Sequence, residues 1–260
     1  MSSLPSGVAS LRRDTNVAPA PRPQKTALIL AQRIVSDIHR AGLQPGEKLP
    51  PEKLMMAQYD AGRGTLRESL RFLELQGLLT FKPGPGGGPV IQKPGADSLS
   101  ATLALLLQFD GAPYRVIAEA RAALEPVMAS LAAQRISDEK LAELQLTLVD
   151  METGLTDVDM YIGANERFHA IIAWASQNSL FGFLIDAMVD SMDLSGTAHG
   201  VEYSVRRRHA VLKAHRTIYD AIADGDQELA SEAMRSHIEE YITHAERKYP
   251  ESMERLITWQ

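Results

Sequence analysis

The stretch PGEKLPPEKLMMAQYDAGRGTLRESLRFLELQGLL, residues 45–79, decides the fold of the first third of the chain. Its apolar residues recur every three or four positions, which predicts one helix over about 51–59 and another over about 64–76. The short turn DAGRG separates them, and two helices joined by such a turn are typical of a helix-turn-helix. Arg63 stands between two glycines at the turn, so the second helix is predicted to begin at an exposed, positively charged end.

The residues on either side of this helix pair complete the predicted domain. Apolar spacing predicts a preceding helix over 24–41. After Gly77, the β-prone runs LLTF and PVIQ are joined by a loop of glycine and proline that follows Lys82, which is typical of a two-stranded ribbon. We therefore predict a winged helix-turn-helix with a small two-stranded wing over 24–93. The Ser-, Pro- and Ala-rich residues 1–23 are expected to form a flexible arm.

Charge is distributed unevenly along the 260 residues. Residues 1–93 hold 13 Lys and Arg against 7 Asp and Glu, a net charge of +6, whereas the remaining residues hold 14 against 26, a net charge of −12. A basic first third on an acidic chain indicates a polyanionic partner. The chain has no cysteine, no apolar run long enough for a membrane span and no secretory-signal pattern. We expect a cytoplasmic protein that does not engage a membrane.

The rest of the chain is predicted to be helical throughout. Apolar spacing of three and four continues to about residue 250 without any strand pattern. We expect a linker and first connecting helix over 94–112, an antiparallel all-α bundle over 113–250 and a C-terminal tail over 251–260. The fold class is thus mainly α. The predicted helices lie near 98–109, 114–135, 138–153, 157–176, 178–197, 203–224 and 226–248.

Three histidines on separate predicted helices suggest a metal site. His169, His215 and His237 have the ligand chemistry for Zn, Ni, Mn or Fe, and Asn165 lies one turn before His169 on the same helix face. A single helical histidine is more often a packed or surface residue, so a metal-free polar pocket remains open. We expect the run RRRH at 206–209 to be solvated. The other histidines expected at the surface are His39, His199, His209 and His244.

The first third of the chain resembles the DNA-binding signature of the GntR family of bacterial transcription regulators. The matching elements are Leu-Pro-x-Glu at 49–52, Arg-x-Thr-x-Arg-Glu at 63–68 and Leu-x-x-Leu-x-x-x-Gly-Leu at 70–78. The resemblance implies double-stranded operator DNA as the partner, with Arg63 reading a guanine. The positions that match the family's DNA contacts are Lys53, Arg63, Gly64, Thr65, Arg67, Lys82 and Gly84.

Two of these positions depart from the family pattern. Gly64 stands where many members have Thr or Ser, and Lys53 stands where Arg is common, so the planar fork of a guanidinium is lost there. Arg67 follows the pattern, and no acid lies three or four residues from it. We therefore expect Arg67 to have no internal partner and to face the DNA.

Residues 113–245 resemble the all-helical effector domain of the fatty-acid-regulator (FadR) subfamily, the FCD domain. The shared features are Arg-x-x-Leu-Glu-Pro at 121–126, Phe168-His169, Asn178, His215 with its following Ile and Ala-Ile, Gly225-Asp226, and His237. In metal-binding members, a carboxylate four residues before the first histidine joins three histidines around a divalent ion. The set implied here is Asn165, His169, His215 and His237, although a neutral amide is a weaker ligand than a carboxylate.

The same resemblance implies two ligand-binding residues, Arg121 and Asn178. Arg121 would pair with the anionic end of a small organic acid. The residues leave a second role open, because Glu125 lies four positions later and could form an intrahelical salt bridge with Arg121.

Together, these features predict a ligand-responsive transcription regulator that is not an enzyme. We expect a repressor that binds a pseudo-palindromic operator as a homodimer, with operator affinity changed by a small acid at the metal-containing pocket. The alternatives are a metal-free sensor of a larger ligand such as an acyl-CoA, an architectural DNA-binding protein, and a metal-dependent enzyme. No recognisable motif places a general base for the last of these.

Overall fold

The computed structural model describes residues 22–84, 86–194 and 204–259. The chain divides into two compact units between Pro94 and Gly95. Most of the predicted N-terminal arm and His199 lie outside the described residues.

The first unit carries a helical core and a two-stranded ribbon. Its elements are α1 Arg22–Ala41, α2 Glu52–Tyr59, α3 Arg63–Leu75, β1 Leu79–Lys82 and β2 Gly88–Ile91. The two strands are antiparallel. Apolar side chains from all three helices form the core, because each helix turns one face inward. The buried set includes Leu30, Ile34, Ile38, Met55, Tyr59, Leu66, Leu70 and Leu73.

The packing of α3 against α1 positions the helix pair. The buried hydroxyl of Ser69 has two acceptors for its one hydrogen, the Ala27 carbonyl of α1 at 2.8 Å and the Thr65 carbonyl of its own helix at 2.8 Å. A hydroxyl in this core needs such acceptors, since an unpaired buried polar group is costly.

Glycines shape the wing turn, and Gly84 and Gly87 show this in two ways. Gly84 has a φ of +92°, in the left-handed region that favours glycine. A Cβ added at Gly87 would lie 2.1 Å from the Lys82 carbonyl oxygen, so a side chain does not fit there without a backbone shift. The sequence of the loop thus allows a tight connection between β1 and β2.

The second unit is an all-α bundle. Its described helices are α4 Asp97–Asp110, α5 Arg115–Arg135, α6 Asp138–Thr153, α7 Val158–Ala175, α8 Ser179–Leu194, α9 Val205–Ala223, α10 Gln227–Lys248 and α11 Pro250–Met253, with a 3₁₀ turn at Gly154–Thr156. Helix α10 packs mainly against α5 and α9, α6 packs against α7, and α4 packs against α8. The side chains of Ser137 and Asp226 cap α6 and α10. These elements confirm the predicted fold class.

The last described residues return to the bundle. Met253 and Ile257 are buried, and the Ile257 N–H donates to the Ala112 carbonyl at 3.0 Å. The Tyr114 N–H donates to the Arg255 carbonyl at 2.9 Å. The segment predicted as a tail therefore contributes to the core of this unit. Within the described ranges, no helix is both long and apolar enough to cross a membrane.

The prediction that residues 206–209 form a solvated patch is wrong for two of them. Arg208 is buried, its Nη1 donates to the Leu155 carbonyl at 2.5 Å, and its own carbonyl accepts from the Tyr161 hydroxyl at 3.0 Å. Arg207 pairs with Glu240 at 2.5 Å. The first turn of α9 lies against neighbouring segments. The aliphatic parts of the two arginine side chains are therefore covered, while their guanidinium groups contact oxygen acceptors.

The surface prediction for the other histidines has a mixed outcome. His39 and His209 are exposed, whereas His244 is partly buried. Burial and nearby arginines lower the pKa of His244.

Replacement of Leu70 by Ala should destabilise the first unit by about 2–5 kcal/mol, because a fully buried methyl-bearing side chain leaves a cavity. Leu75→Ala on the same helix is the control, since Leu75 is 72% exposed and its truncation should change the unfolding free energy by about 0.5 kcal/mol or less. Urea-dependent amide hydrogen exchange of α3 measures both. Equal effects of the two substitutions would contradict the assigned core.

Candidate functional site

The first turn of α3 is open to a ligand. Gly62 is the N-cap residue, with φ −64° and ψ 152°, and within the described part of the chain the helix has no side-chain cap hydrogen bond. Ser, Asp or Asn at this position would occupy one of those donors. The helix start therefore presents backbone N–H groups and the positive end of the helix dipole, a suitable arrangement for phosphate.

The predicted DNA-contacting side chains are mostly exposed. Lys53 lies on α2, Arg63 is the first residue of α3, and Lys82 ends β1. All three are exposed, and among the described residues none of them has an ion-pair partner. The remaining predicted contacts differ in exposure: Gly64 and Gly84 are exposed, and Thr65 is partly buried.

Arg67 has an internal partner that the sequence did not reveal. Its Nε lies 3.5 Å from Glu52 Oε1, and the Arg67 side chain remains 69% exposed. The expectation that Arg67 lacks a partner is wrong because Glu52 lies on α2, outside the reach of a rule for pairs within one helix. An exposed ion pair of this kind contributes only about 0–1 kcal/mol, so a phosphate can replace Glu52.

The second candidate site is a cluster of three histidines inside the bundle. His169 lies on α7, His215 on α9 and His237 on α10, and each is buried. Their candidate ligand atoms all lie within 4.8 Å of one another. The fold thus brings together the three histidines that the sequence singled out.

The spacing of the ring nitrogens fits a metal ion. His215 Nε2 and His237 Nε2 are 3.0 Å apart. Two nitrogens bound to one ion at about 2.1 Å and at a right angle would lie about 3.0 Å apart. The same distance also fits a direct N–H···N hydrogen bond between the two rings.

The outward-facing atoms of these rings have defined surroundings. His169 Nδ1 contacts Oε2 of Glu125, a residue of α5. His215 Nδ1 lies 3.2 Å from the Met151 sulfur, and the Phe168 ring stacks on His215 with centroids 4.1 Å apart. These contacts hold the ring planes, so the cluster is organised by its neighbours as well as by the helices.

Glu125 also forms a salt bridge with Arg121. This is the intrahelical pair that the sequence left open as a role for Arg121. Arg121 Nε donates to Glu125 Oε1 at 2.5 Å, and both side chains are buried. Burial acts to raise the pKa of Glu125, but the Arg121 guanidinium and the hydrogen bond with His169 outweigh it and lower that pKa to about 2. Burial acts to lower the pKa of Arg121, yet Glu125 raises it overall. The pair is therefore charged at neutral pH.

The two remaining imidazoles favour the neutral form. Burial lowers the pKa of His215 well below its usual value, and the neighbouring histidines act in the same direction. Burial and His169 lower the pKa of His237 to about 3. Neutral imidazole is the form that binds metal ions, so both rings favour the protonation state that a metal ligand needs.

The two other residues predicted for this unit's site are Asn165 and Asn178. Asn165 lies one turn before His169 on α7 and is partly buried. Asn178 Oδ1 accepts a hydrogen bond from the Leu180 N–H at 3.1 Å at the start of α8, where it acts as a helix cap.

The sequence did not predict the contact of Glu125 with His169. The signal that could have indicated it is an acidic residue on the buried face of α5, on the same side as Arg121 and Met128.

Each of the two units matches a known protein family. Residues 26–87 match the family described as "Bacterial regulatory proteins, gntR family", and residues 116–240 match the family described as "FCD domain". The chain is 34% identical over 207 residues to the HTH-type transcriptional regulator YcbG of Bacillus subtilis (strain 168), covering 80% of this chain and 84% of that protein. The chain belongs to the GntR family of bacterial transcription regulators.

Further relatives extend this assignment. The HTH-type transcriptional repressor NanR of Cronobacter sakazakii is 25% identical over 218 residues, with 83% of each chain covered. The solved structure of Streptococcus agalactiae GntR has a TM-score of 0.69 and 27% identity, and the match covers 84% of this chain and 100% of that chain. The family and these relatives are transcription regulators, which confirms the predicted family and the expectation that this GntR-family protein is not an enzyme.

Replacement of Arg63 by Ala should weaken binding to a duplex selected from random DNA by about 1–3 kcal/mol, because the bidentate guanine contact predicted for Arg63 would be lost. Fluorescence anisotropy at fixed salt measures this affinity against a scrambled duplex. The melting temperature should hardly change, since Arg63 is exposed.

Arg40→Ala is the matched control for this experiment. It removes the same charge from an exposed position at the end of α1, where Arg40 pairs with Asp37 at 3.1 Å. Its loss should affect selected and scrambled duplexes alike. Selective binding that survives Arg63→Ala would refute the assigned role.

Proposed function

We propose that this GntR-family protein is a ligand-responsive repressor that acts in the cytoplasm and binds a pseudo-palindromic operator as a homodimer. A small organic acid, bound at a metal-containing pocket in the helical unit, changes its operator affinity. The cluster of three buried histidines with converging ring nitrogens is the observation that carries the regulatory part. The uncapped, exposed start of α3 supports the DNA-binding part.

In the DNA-binding unit, each predicted residue has a distinct role. Arg63 reads a guanine edge through its planar fork, while Lys53 and Arg67 contact phosphates. Gly64 and Thr65 contribute the backbone N–H groups of the open first turn. The wing adds Lys82 and Gly84 as further contacts. In a homodimer, two such helices would enter successive major grooves, which accounts for a palindromic operator.

In the helical unit, a divalent ion would be held by His169, His215 and His237, with the Asn165 side-chain oxygen as a fourth ligand. Zn, Ni, Mn and Fe all suit this donor set. When bound, the ion supplies a Lewis acid for an oxygen of the effector's carboxylate. The ligands are neutral, so the charge of the ion stays uncompensated and favours an anion. Asn178 is a further candidate contact for the effector.

A metal-free sensor of a larger ligand, such as an acyl-CoA, is the second candidate. The 3.0 Å separation of His215 Nε2 and His237 Nε2 favours it, because a direct hydrogen bond satisfies both rings without an ion. The two candidates differ in their response to chelator. Only the metal-dependent sensor loses its effector response when divalent ions are removed.

His215→Ala should abolish the rise in melting temperature that Zn²⁺ or Mn²⁺ gives to the chelator-treated wild type, because a ligand stabilises the state that binds it. At about 100-fold excess over the dissociation constant, that stabilisation is about 2.7 kcal/mol. His209→Ala is the control, since His209 is an exposed histidine on the same helix. Equal metal responses in the two variants would count against the centre.

An effector acid should change the affinity of the metal-loaded protein for its selected operator by about 5- to 150-fold, the usual range of coupling between two sites. Anisotropy titrations with and without candidate acids measure the change. An acid that binds the protein but leaves operator affinity unchanged would disprove the regulatory mechanism. A ligand with equal affinity for two conformational states does not shift the equilibrium between them.

A further inference from the structure

A continuous chain of contacts runs from Arg121 through Glu125 to His169 in the interior of the bundle. Arg121 Nε donates to Glu125 Oε1 at 2.5 Å, and the second carboxylate oxygen contacts His169 Nδ1. The three residues are 7%, 2% and 2% exposed. These contacts link α5 to α7 and end at an imidazole of the histidine cluster.

The carboxylate contact determines which nitrogen of His169 carries hydrogen. A carboxylate offers only acceptors, so Nδ1 donates its hydrogen to Glu125 Oε2. In a neutral imidazole the other nitrogen, Nε2, then has a free lone pair. His215 is held differently, with Nδ1 beside the Met151 sulfur and Nε2 facing His237. In the contacts described, a carboxylate directs the ring of His169 alone among the three.

We propose that Glu125 is a positioning residue for the histidine centre and that Arg121 holds Glu125 in place. The inference rests on the proposed function, because it concerns the same centre. Glu125 sets the tautomer and the ring orientation of His169 so that Nε2 faces His215 and His237. Arg121, which the family resemblance implies as the partner of the effector's anion, braces Glu125 instead.

Glu125 lies behind His169 and outside the group of ligand atoms. The side chains whose ligand atoms lie within 4.8 Å of one another are the three histidines, and no carboxylate of the described residues joins them. A carboxylate behind an imidazole makes the ring a stronger ligand. This matters at a centre where Asn165 offers a neutral amide in the place of a carboxylate.

Zn²⁺ titration calorimetry on the full chain tests the role of Glu125. Glu125→Gln should weaken Zn²⁺ binding by about 10- to 100-fold, the usual effect of losing a residue that supports a metal ligand. Glu119→Gln is the matched control on the same helix, because Glu119 is exposed and pairs with Arg115 at 2.5 Å. The control should bind Zn²⁺ as the wild type does.

A second variant separates positioning from simple stability. Removing one partner of a buried pair leaves an uncompensated charge, whereas replacing both with apolar residues is often tolerated. The double variant Arg121→Leu/Glu125→Leu should therefore fold, as circular dichroism would show. ¹⁵N NMR of its histidine rings without metal should show that His169 has lost the single Nδ1–H tautomer present in the wild type. A merely structural role would leave that tautomer unchanged.

Two results would overturn the positioning role: wild-type Zn²⁺ affinity in Glu125→Gln, or an unchanged His169 tautomer in the folded double variant. A different result would separate this inference from the proposed function. If the wild type binds no Zn²⁺ but its His169 tautomer still depends on Glu125, the positioning role stands and the proposed metal centre fails.

Discussion

The interior of the helical bundle holds a cluster of five buried ionisable side chains whose mutual contacts make their burial possible: Arg121, Glu125, His169, His215 and His237. Burying a charged group costs several kcal/mol unless a partner compensates it. Glu125 lies between the Arg121 guanidinium and the His169 ring, while His215 and His237 favour the neutral form. The result is a polar centre with three imidazoles oriented by neighbouring side chains, and this donor set is the basis of the proposed metal site.

In the first unit, the charged groups lie at the surface instead of in the interior. Its core is apolar, and its cations lie on the outside at Lys53, Arg63 and Lys82. The chain supplies no side-chain cap for α3, so the donors at Gly64 and Thr65 remain open to an external anion. A stable apolar core therefore supports an exposed basic surface, while the stable polar centre of the second unit is enclosed.

Apolar periodicity predicted the elements well, because a helix or strand that buries one face repeats that face in its sequence. The helix predicted over 138–153 is α6 Asp138–Thr153, for example. The site was only partly predictable. Spacing and resemblance identified His169 and its companions, but not the contact of Glu125 with His169 or of Arg67 with Glu52. Both contacts join different helices, and helix packing is not encoded in the period of either one.

The most direct test of the metal centre is anomalous X-ray diffraction from crystals of the full chain grown with Zn²⁺, recorded on both sides of the zinc edge. A metal ion held by the three histidines should give one anomalous peak in the second unit, within about 2.0–2.1 Å of a ring nitrogen from each of His169, His215 and His237. Crystals with saturating Zn²⁺, no peak at this position and a direct hydrogen bond between His215 and His237 would contradict the proposed metal site.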